Sequence, residues 1–446
     1  MSRRLPALIA FAALCIAAIS TSQPAGATTV QRVVSPGGIE AWLVYEPSLP
    51  LVALNFAFVG GAAEDPTEKP GVGYMMSSLL DEGAGELNAN AYHQQLEDNA
   101  VELRFSVTQD YFFGSIRLLK DRQQQSFELL RTALNEPRFD ADAIGRIREQ
   151  ILSGLRRETT DPGSIANKAW WSTAFPGHPY GRPTGGSLTS IPTITEADLR
   201  GYAKQVMTRD TLKVAAVGDI DPATLGQVLD HVFGALPATG SRADVPNTSM
   251  HDGGRRIVVQ LNVPQAVVRM GGAGIPRKDP DFIPAYLVNH ILGGGSFTSR
   301  LYDEVREKRG LAYGVYSYLL TMRHAAMFMA QTQTQAPSTR EALELIEAQI
   351  KRMVAEGPTE EEMAKAKAYL KGSYALNFDT STKIASILLQ NQLDDLGIDY
   401  VDKRNAMFDA VTIEDARRAA KRLAPDGMLV TVVGQPKDLS SKEPGG

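Results

Sequence analysis

The pattern of apolar and polar positions repeats in the two halves of the chain. An amphipathic helical pattern that follows Thr195 leads into an apolar strand at 212–217, and the same order follows Thr412, with a strand at 428–433. Each threonine precedes acidic residues, as is typical of a helix N-cap, and each strand ends in Val-Gly. The pattern predicts one helix–strand unit that occurs twice, the alternative being a chance pairing of two ordinary segments.

Each half also opens on apolar strands. These lie at 39–44 and 51–59 in the first half and at 257–261 and 266–271 in the second. Long helical patterns follow in both halves, so strands and helices mix throughout the chain. The sequence therefore predicts an α+β fold of two homologous domains, each a largely antiparallel sheet with helices packed on one face.

A polar stretch without periodicity separates the halves at 237–254. We interpret it as the interdomain linker, which leaves an N-terminal domain at 28–236 and a C-terminal domain at 255–446. The chain has 446 residues. This length favours two domains, because a single core stops growing at about 250–300 residues.

The first 27 residues have the order of a signal peptide. Two arginines at 3–4 precede an apolar run at 5–19, and small residues lead up to Ala27. A membrane anchor is the alternative, but about 15 apolar residues interrupted by Pro6 are fewer than the roughly 20 that a spanning helix needs. We therefore expect cleavage after Ala27, a periplasmic or otherwise exported protein, and no membrane span after processing.

Composition narrows the class of partner. The chain has 46 Lys and Arg against 51 Asp and Glu, a formal net charge of -5 at pH 7. This acidic balance argues against nucleic acid as a partner. The single cysteine, Cys15, lies in the segment that we expect to be removed, so the processed chain should have neither a thiol nor a disulfide.

A segment after the second strand carries a family resemblance. Residues 71–92 read GVGYMMSSLLDEGAGELNANAY, which resembles the pitrilysin/insulinase family of metallopeptidases. In that family the equivalent helix carries HxxEH, with two zinc-binding histidines one turn apart and a glutamate as general base. Tyr74, Ser77 and Ser78 occupy these three positions here.

The family's further zinc ligand is also missing. The resemblance places this glutamate within 151–155, where the sequence reads ILSGL. None of the six histidines lies four residues from another. The resemblance therefore implies no family-type zinc and no cofactor in this chain, and it places zinc in a partner subunit.

A second segment, HPYGRP at 178–183, resembles a functional-site motif. We interpret it as structural, because two prolines punctuate a loop and the same phrase is typical of the family away from the metal. Trp170 and Trp171 just upstream are interpreted as core or interface anchors.

The richest candidate chemistry lies at 291–319, which reads ILGGGSFTSRLYDEVREKRGLAYGVYSYL. This stretch resembles the family's later-domain signature, in which an arginine and a tyrosine seven residues apart face the substrate. Arg306 and Tyr313 match that pair, and the resemblance implies that they stabilise the oxyanion of the tetrahedral intermediate in catalysis. The alternative is that Arg306 pairs with a helix acid such as Asp303 or Glu307 while Tyr313 only packs.

Three consecutive glycines precede this pair. Gly293, Gly294 and Gly295 permit positive φ and a close backbone approach, and with Ser296 they are the candidate substrate-binding residues. Gly310, preceded by basic residues, is expected to end the helix at its C′ position.

The resemblance covers nearly all of the chain and implies two half-molecules that face each other around a chamber. Our main hypothesis is a zinc-free subunit of an exported heterodimeric metallopeptidase. Such a chain is inactive alone, pairs with a homologous HxxEH-bearing subunit, and binds peptide or unfolded polypeptide as an added strand on a sheet edge. The alternative is a non-catalytic structural or peptide-binding homologue. An enzyme with a different nucleophile is less favoured, because no GxSxG motif occurs.

Overall fold

The computed structural model describes residues 29–443, and within them two sheets each support a main hydrophobic core. The first core draws its buried side chains from residues 33–236, and the second from residues 266–432. The signal-peptide prediction and Cys15 lie outside the described residues. The domain boundaries stay a prediction.

Thirteen strands occur among residues 29–443. In chain order they are β1 Gln31–Val34, β2 Glu40–Tyr45, β3 Leu51–Val59, β4 Gly83–Ala84, β5 Leu87–Asn88, β6 Glu102–Val107, β7 Tyr111–Leu119, β8 Lys213–Gly218, β9 Arg256–Gln260, β10 Gln265–Ala273, β11 Ala312–Thr321, β12 Ala326–Gln335 and β13 Leu429–Gly434.

The α-helices of the same residues are α1 Val72–Ser77, α2 Ala89–Asp98, α3 Gln123–Asn135, α4 Ala141–Glu158, α5 Pro162–Ala174, α6 Glu196–Val206, α7 Pro222–Phe233, α8 Phe282–Asn289, α9 Arg300–Tyr302, α10 Thr339–Glu356, α11 Glu360–Gly372, α12 Ser381–Leu393, α13 Tyr400–Ala410 and α14 Ile413–Lys421. Within these residues no helix is long and apolar enough to cross a membrane.

The two large sheets share one topology. Their strand orders are β1-β2-β8-β3-β7-β6 and β9-β13-β10-β12-β11. Strands β2-β8-β3-β7-β6 correspond to β9-β13-β10-β12-β11, and β1 is an additional edge strand of the first sheet. The late strand, β8 or β13, lies parallel to β2 or β9 and antiparallel to β3 or β10, and the remaining pairs of the two sheets are antiparallel. The predicted α+β class is therefore confirmed, and the strand order bears out the predicted repeat.

The helix–strand unit forms in both halves because the same helix N-cap residues and the same Val-Gly strand ending occur in each half. Thr195 Oγ1 accepts from Asp198 N at 3.4 Å while the Asp198 carboxylate accepts from Thr195 N at 2.8 Å. Thr412 and Asp415 make the same two bonds at 3.1 and 3.0 Å. Both threonines are thus N-caps in capping boxes, as predicted.

The Val-Gly ending of β8 and β13 also has a physical cause. Gly218 and Gly434 have φ of 134° and 151°, a conformation that side chains disfavour. An added Cβ at Gly218 would lie 2.1 Å from the carbonyl oxygen of Leu51. Glycine is therefore strongly favoured at the end of each of these strands.

Each sheet is covered on its second face by a helix from the other half, which the sequence did not predict. Helix α5 of the first half packs on the second sheet, where the fully buried Trp170 donates from Nε1 to the carbonyl oxygen of Leu429 at 3.1 Å. Helix α12 of the second half packs on the first sheet, where Gln392 donates to the carbonyl oxygen of Val214 at 2.8 Å. The two halves are tied together by this exchange.

The stretch at 237–254 has no helix or strand and is bonded to both halves. Ala243 N donates to the Glu64 carboxylate at 2.6 Å, and Thr248 N donates to the carbonyl oxygen of His324 at 2.8 Å. Hydrogen bonds therefore connect this stretch to the first half at Glu64 and to the second half at His324.

Candidate functional site

Of the three positions that correspond to HxxEH, Tyr74 and Ser77 lie on α1 and Ser78 is its C-cap, and none carries a histidine or a carboxylate. Ser77 Oγ donates to the carbonyl oxygen of Tyr74 at 2.8 Å, and Ser78 Oγ donates to the same oxygen at 3.1 Å. Both hydroxyls therefore serve the helix backbone. The Tyr74 side chain is 40% exposed at the surface.

The downstream ligand position is equally unsuited. Ile151 and Leu152 on α4 are buried in the first core, and Leu155 packs against it. Across residues 29–443 no group of three or more His, Cys, Asp or Glu side chains could hold a metal ion.

The HPYGRP loop joins the two halves, in agreement with its structural interpretation. Tyr180 is fully buried, and its hydroxyl donates to the Asp110 carboxylate and accepts from His324 N at 3.1 Å. His178 Nδ1 accepts from Tyr180 N at 3.1 Å, and its Nε2 lies 3.0 Å from the carbonyl oxygen of Pro246. These contacts use both ring nitrogens of His178.

A buried carboxylate fixes the start of α1. Asp65 accepts from Gly71 N at 2.6 Å and from Gly73 N at 2.9 Å. Burial raises the pKa of Asp65 to about 7, although these two N–H groups and Arg182 favour the charged form. The start of α1 is thus positioned by an acid whose pKa lies near neutrality.

Arg306 lies near the end of a short helix that follows α9. Ser299 caps α9 by accepting from Tyr302 N at 3.4 Å, and the chain continues as a π-helical turn over Asp303–Glu307. Gly310, with φ of 62°, ends it by donating to the carbonyl oxygen of Arg306 at 2.8 Å. The predicted stop at Gly310 is confirmed.

Tyr313 lies in a β-bulge on an edge strand. The register of β11 against β12 shifts between Ala312 and Gly314, so Tyr313 has no partner residue on β12. Its side chain is 88% exposed. Bulges redirect side chains, often beside active sites, and this one turns the Tyr313 phenol outward.

Arg306 is held between two tyrosines. Its guanidinium carbon lies 4.8 Å from the ring centroids of both Tyr302 and Tyr313, and Nη1 donates to the Tyr302 hydroxyl. Such cation–π contacts favour a fixed guanidinium over the ring faces. The structure therefore brings together the two predicted residues, and it adds Tyr302, which the sequence did not single out.

The alternative pairing of Arg306 with a helix acid is not what the structure shows. Asp303 forms its ion pair with Lys308 at 2.7 Å, and Glu304 pairs with Lys308 and Arg309, both at 2.6 Å. The ion pairs found within residues 29–443 do not include Arg306. Its charge is available to a ligand.

The three glycines are needed because other atoms approach their backbone closely, and none of them has a positive φ. They follow α8 through a π-helical turn at His290–Gly294, and Gly295 N donates to the carbonyl oxygen of His290 at 2.8 Å. An added Cβ at Gly293 would lie 2.5 Å from Ser317 Oγ. Positive φ falls instead on the next candidate residue, Ser296, at 47°, since the glycines continue a helical path.

Exposed aromatic rings flank this glycine segment, and they were not predicted from the sequence. Phe297 is 72% exposed and meets the Tyr302 ring edge-on at 5.1 Å between centroids. Tyr369 is 62% exposed and stacks on the buried His290 at 5.2 Å, and burial lowers the pKa of that histidine. The sequence signal for Phe297 was its position directly after the three glycines and Ser296, and no such local signal marks Tyr369. Around Arg306, the site combines a fixed cation, a free phenol and apolar rings.

Comparison with known proteins identifies the class. Residues 43–187 match the sequence model of Insulinase (Peptidase family M16), and residues 193–370 match that of the Peptidase M16 inactive domain. The chain belongs to peptidase family M16, the insulinase family, and its second half is of the inactive-domain type. The resemblance drawn from the motifs is confirmed.

Some relatives of this chain are described as peptidases and others as non-peptidases. The chain is 26% identical over 342 residues to the non-peptidase homolog YmxG of Helicobacter pylori, covering 76% of this chain and 78% of that protein. It is 25% identical over 420 residues to an uncharacterized zinc protease of Streptomyces coelicolor, covering 93% and 91%. The family around this chain therefore includes proteins described as peptidases and as non-peptidases.

Solved structures support the same fold. A peptidase M16 inactive domain from Pseudomonas fluorescens superposes with a TM-score of 0.86 at 28% identity, covering 93% of this chain and 99% of that one. The periplasmic protease PqqL from Escherichia coli superposes with a TM-score of 0.77 at 15% identity, covering 94% of this chain but 46% of that one. The second likeness shows the fold alone, with this chain equivalent to about half of the longer protein.

Proposed function

We propose that this chain is the zinc-free subunit of an exported heterodimeric metallopeptidase. In this proposal a homologous subunit with an intact HxxEH motif holds the zinc, and this chain supplies Arg306 and Tyr313. The observation that carries the proposal is the pair itself, with Tyr313 exposed and Arg306 half-buried beside it. The Arg306 guanidinium lies over the Tyr313 ring, while the hydroxyls of Ser77 and Ser78 donate to the helix backbone.

The chemistry of the pair suits peptide hydrolysis. Zinc in the partner would supply an activated water. Attack on a peptide carbonyl creates an oxyanion, and the Arg306 guanidinium and the Tyr313 hydroxyl are donors that could stabilise it more than the ground state. A chain with a purely structural role has no need for both groups at the surface.

The substrate in this proposal is a peptide or an unfolded polypeptide. Strand β11 is an edge strand that pairs only with β12 among the described strands, and it carries Tyr313. An extended segment can pair with such an edge through its backbone. Gly293, Gly294, Gly295 and Ser296 lie before α9 and would border the bound segment.

The export step of the proposal rests on residues 1–27. Cell fractionation followed by N-terminal sequencing of the purified chain tests it. We expect the chain in the cell envelope fraction with its N-terminus at Thr28. A chain that starts at Met1 in the cytoplasm would contradict export and leave the pairing proposal standing.

Affinity purification of the tagged chain from the native cell envelope tests the pairing. We expect an M16 subunit with HxxEH to co-purify, and we expect the mixture to cleave unfolded polypeptide in a manner that a zinc chelator abolishes. Neither subunit should do so alone. If no such subunit is retained and no activity appears, the pairing proposal is wrong.

A non-catalytic, peptide-binding homologue is the second candidate. The Helicobacter pylori relative is described as a non-peptidase homolog, which favours this reading. If the heterodimer keeps full peptidase activity with both Arg306→Ala and Tyr313→Phe, this second candidate is the better one.

A further inference from the structure

The β9 edge of the second sheet is covered by the part of the chain that follows β13. The chain leaves β13 at Gly434, turns at Asp438, where φ is 54°, and returns along the outer side of β9. Arg256 N donates to the carbonyl oxygen of Lys442 at 2.7 Å, and Lys442 N donates to that of Arg256 at 2.8 Å. Residues 438–443, named here the return segment, therefore run antiparallel to β9.

Further contacts hold the return segment in place. Val258 N donates to Ser441 Oγ at 3.0 Å, and the Arg255 guanidinium lies 3.3 Å from the Glu443 carboxylate. Leu439 is half-buried and packs against the second core. Because every second residue of a strand directs its backbone groups to the same side, Arg256 and Val258 of β9 both face outward. Their outward groups are bonded to the return segment and not to another strand.

The first sheet covers the corresponding edge with a different segment. Strand β2 corresponds to β9, and β1 pairs with its outer side. The covering segment precedes β2 in the first half, whereas it follows β13 in the second half. Each half therefore covers the same edge independently. An uncovered edge presents free N–H and C=O groups to any other chain.

The sequence of β9 favours such pairing. The strand reads RIVVQ, with three consecutive β-branched apolar residues and no proline, glycine or acid. Residues of this kind prefer strands, and a short segment rich in them readily pairs with another edge. The return segment places the charged side chains of Lys442 and Glu443 outside β9, and charged residues at an edge oppose further pairing.

The symmetry of β9 identifies a second copy of this chain as the occupant of an uncovered edge. An antiparallel pairing about a two-fold axis at Val258 places Arg256 of each copy opposite Gln260 of the other, so that no like charges lie opposite each other. An in-register parallel pairing would place two Arg256 side chains next to each other. The antiparallel pairing would use the same outward groups that now bond to the return segment.

We propose that the return segment prevents β9 from pairing with β9 of a second copy, and that displacement of residues 438–443 produces a homodimer whose second sheets are continuous through β9. The proposal concerns this chain alone and does not rest on a zinc-bearing partner. Dimer formation through β9 and peptidase activity with a partner can therefore fail independently.

Sedimentation velocity of the purified chain tests the proposal. Deletion of residues 438–446 removes the return segment. Deletion of residues 444–446 is the matched control, because it keeps the contacts of Ser441, Lys442 and Glu443. We expect the first deletion to form an assembly of about twice the mass of the control at the same concentration, with a dimer fraction that rises with concentration. Equal masses at all concentrations would overturn the proposal.

A full-length variant gives the same test without a deletion. Lys442→Pro removes the N–H that donates to Arg256, and Leu439→Asp removes the apolar contact with the second core. The double variant should also form an assembly of about twice the mass of the control. If thermal melts show a lower melting temperature while the mass equals that of the control, the return segment only stabilises the fold and the proposal is wrong.

Substitutions at Gln260 test the register of the dimer. Gln260 is exposed, so its replacement in the chain that lacks residues 438–446 should leave the fold intact. Gln260→Glu places a carboxylate opposite Arg256 twice in each dimer and should lower the dissociation constant by roughly fivefold, while Gln260→Arg should raise it by a similar factor. A dimer whose dissociation constant is the same in both variants would show that another surface joins the copies, which contradicts the proposal.

Discussion

The guanidinium carbon of Arg306 lies 4.8 Å from the centroid of the Tyr313 ring, although the two residues belong to different elements. The helical turn at Asp303–Glu307 supplies the first residue, and a bulge in β11 supplies the second. Gly310 closes the helical segment between them. The seven-residue spacing thus has a structural cause, because a helix end, a tight stop and a bulge bring both side chains to one surface.

Arg306→Ala and Tyr313→Phe should each lower kcat of the assembled pair by roughly 10²–10³, the usual cost of one lost oxyanion donor. KM and heterodimer formation should change little, because the interaction is made in the transition state. Steady-state kinetics at saturating partner measure this.

Arg352→Ala serves as the control for that experiment, since it removes an exposed arginine from α10. Weaker assembly or a lower melting temperature in the Arg306 and Tyr313 variants, with unchanged kcat, would assign them a packing role. That result would support the non-catalytic, peptide-binding function.

Tyr302→Phe should lower kcat by about tenfold in the assembled pair, because the Tyr302 hydroxyl accepts a hydrogen bond from Arg306 and so orients it. The ring that lies 4.8 Å from the guanidinium carbon is kept. Kinetics of the single variant and of the double variant with Arg306→Ala check this. If the two effects simply multiply, Tyr302 does not act through Arg306.

Much of the fold could be predicted from the sequence, because local chemistry decides it. Thr195 and Thr412 cap their helices through bonds to acids three residues away, and Gly310 ends a helix where no Cβ is tolerated easily. Such signals need no knowledge of distant residues. Together with the apolar pattern they predicted the repeated helix–strand unit, whereas Arg306 and Tyr313 were singled out by the family resemblance.

The exchange of helices between the halves could not be predicted in this way. An apolar face shows that Trp170 must be buried, but it does not show that its partner is Leu429 in the other half. The same limit applies to Tyr302, whose role depends on the position of the Arg306 guanidinium. Long-range packing decides both.

Trp170→Ala should lower the free energy of unfolding by about 3–5 kcal/mol, the usual cost of truncating a buried tryptophan. The ring is fully buried and lies against Gly271, where an added Cβ would come within 2.1 Å of it. Urea denaturation measures the change, and Trp170→Phe, which keeps an aromatic ring, should cost less. A change below 1 kcal/mol would show that α5 does not hold the two halves together.

Asp65 should make stability fall as pH rises. Its pKa is about 7 in the folded chain, against 3.8 for an unperturbed aspartate. Between these values the folded state keeps a proton that the unfolded state has released, so raising the pH favours unfolding. Relative to Asp65→Asn, the wild-type chain should lose at most roughly 4 kcal/mol of stability between pH 4 and pH 7.

Urea denaturation at several pH values measures that loss. Asp402→Asn is the control, because it makes the same substitution at an exposed aspartate on α13. A wild-type chain whose stability relative to Asp65→Asn is constant, or rises with pH, would contradict the prediction.

Restoring HxxEH should not by itself create a zinc site. The triple variant Tyr74→His, Ser77→Glu and Ser78→His supplies two histidines, but the third ligand is still missing, because residues 151–155 of α4 include no carboxylate. Adding Leu155→Glu, on the face that packs against the first core, should raise zinc affinity by at least about tenfold over the triple variant. Metal analysis after dialysis against a weak chelator compares the two. Stoichiometric zinc in the triple variant would show that another residue of this chain completes the site.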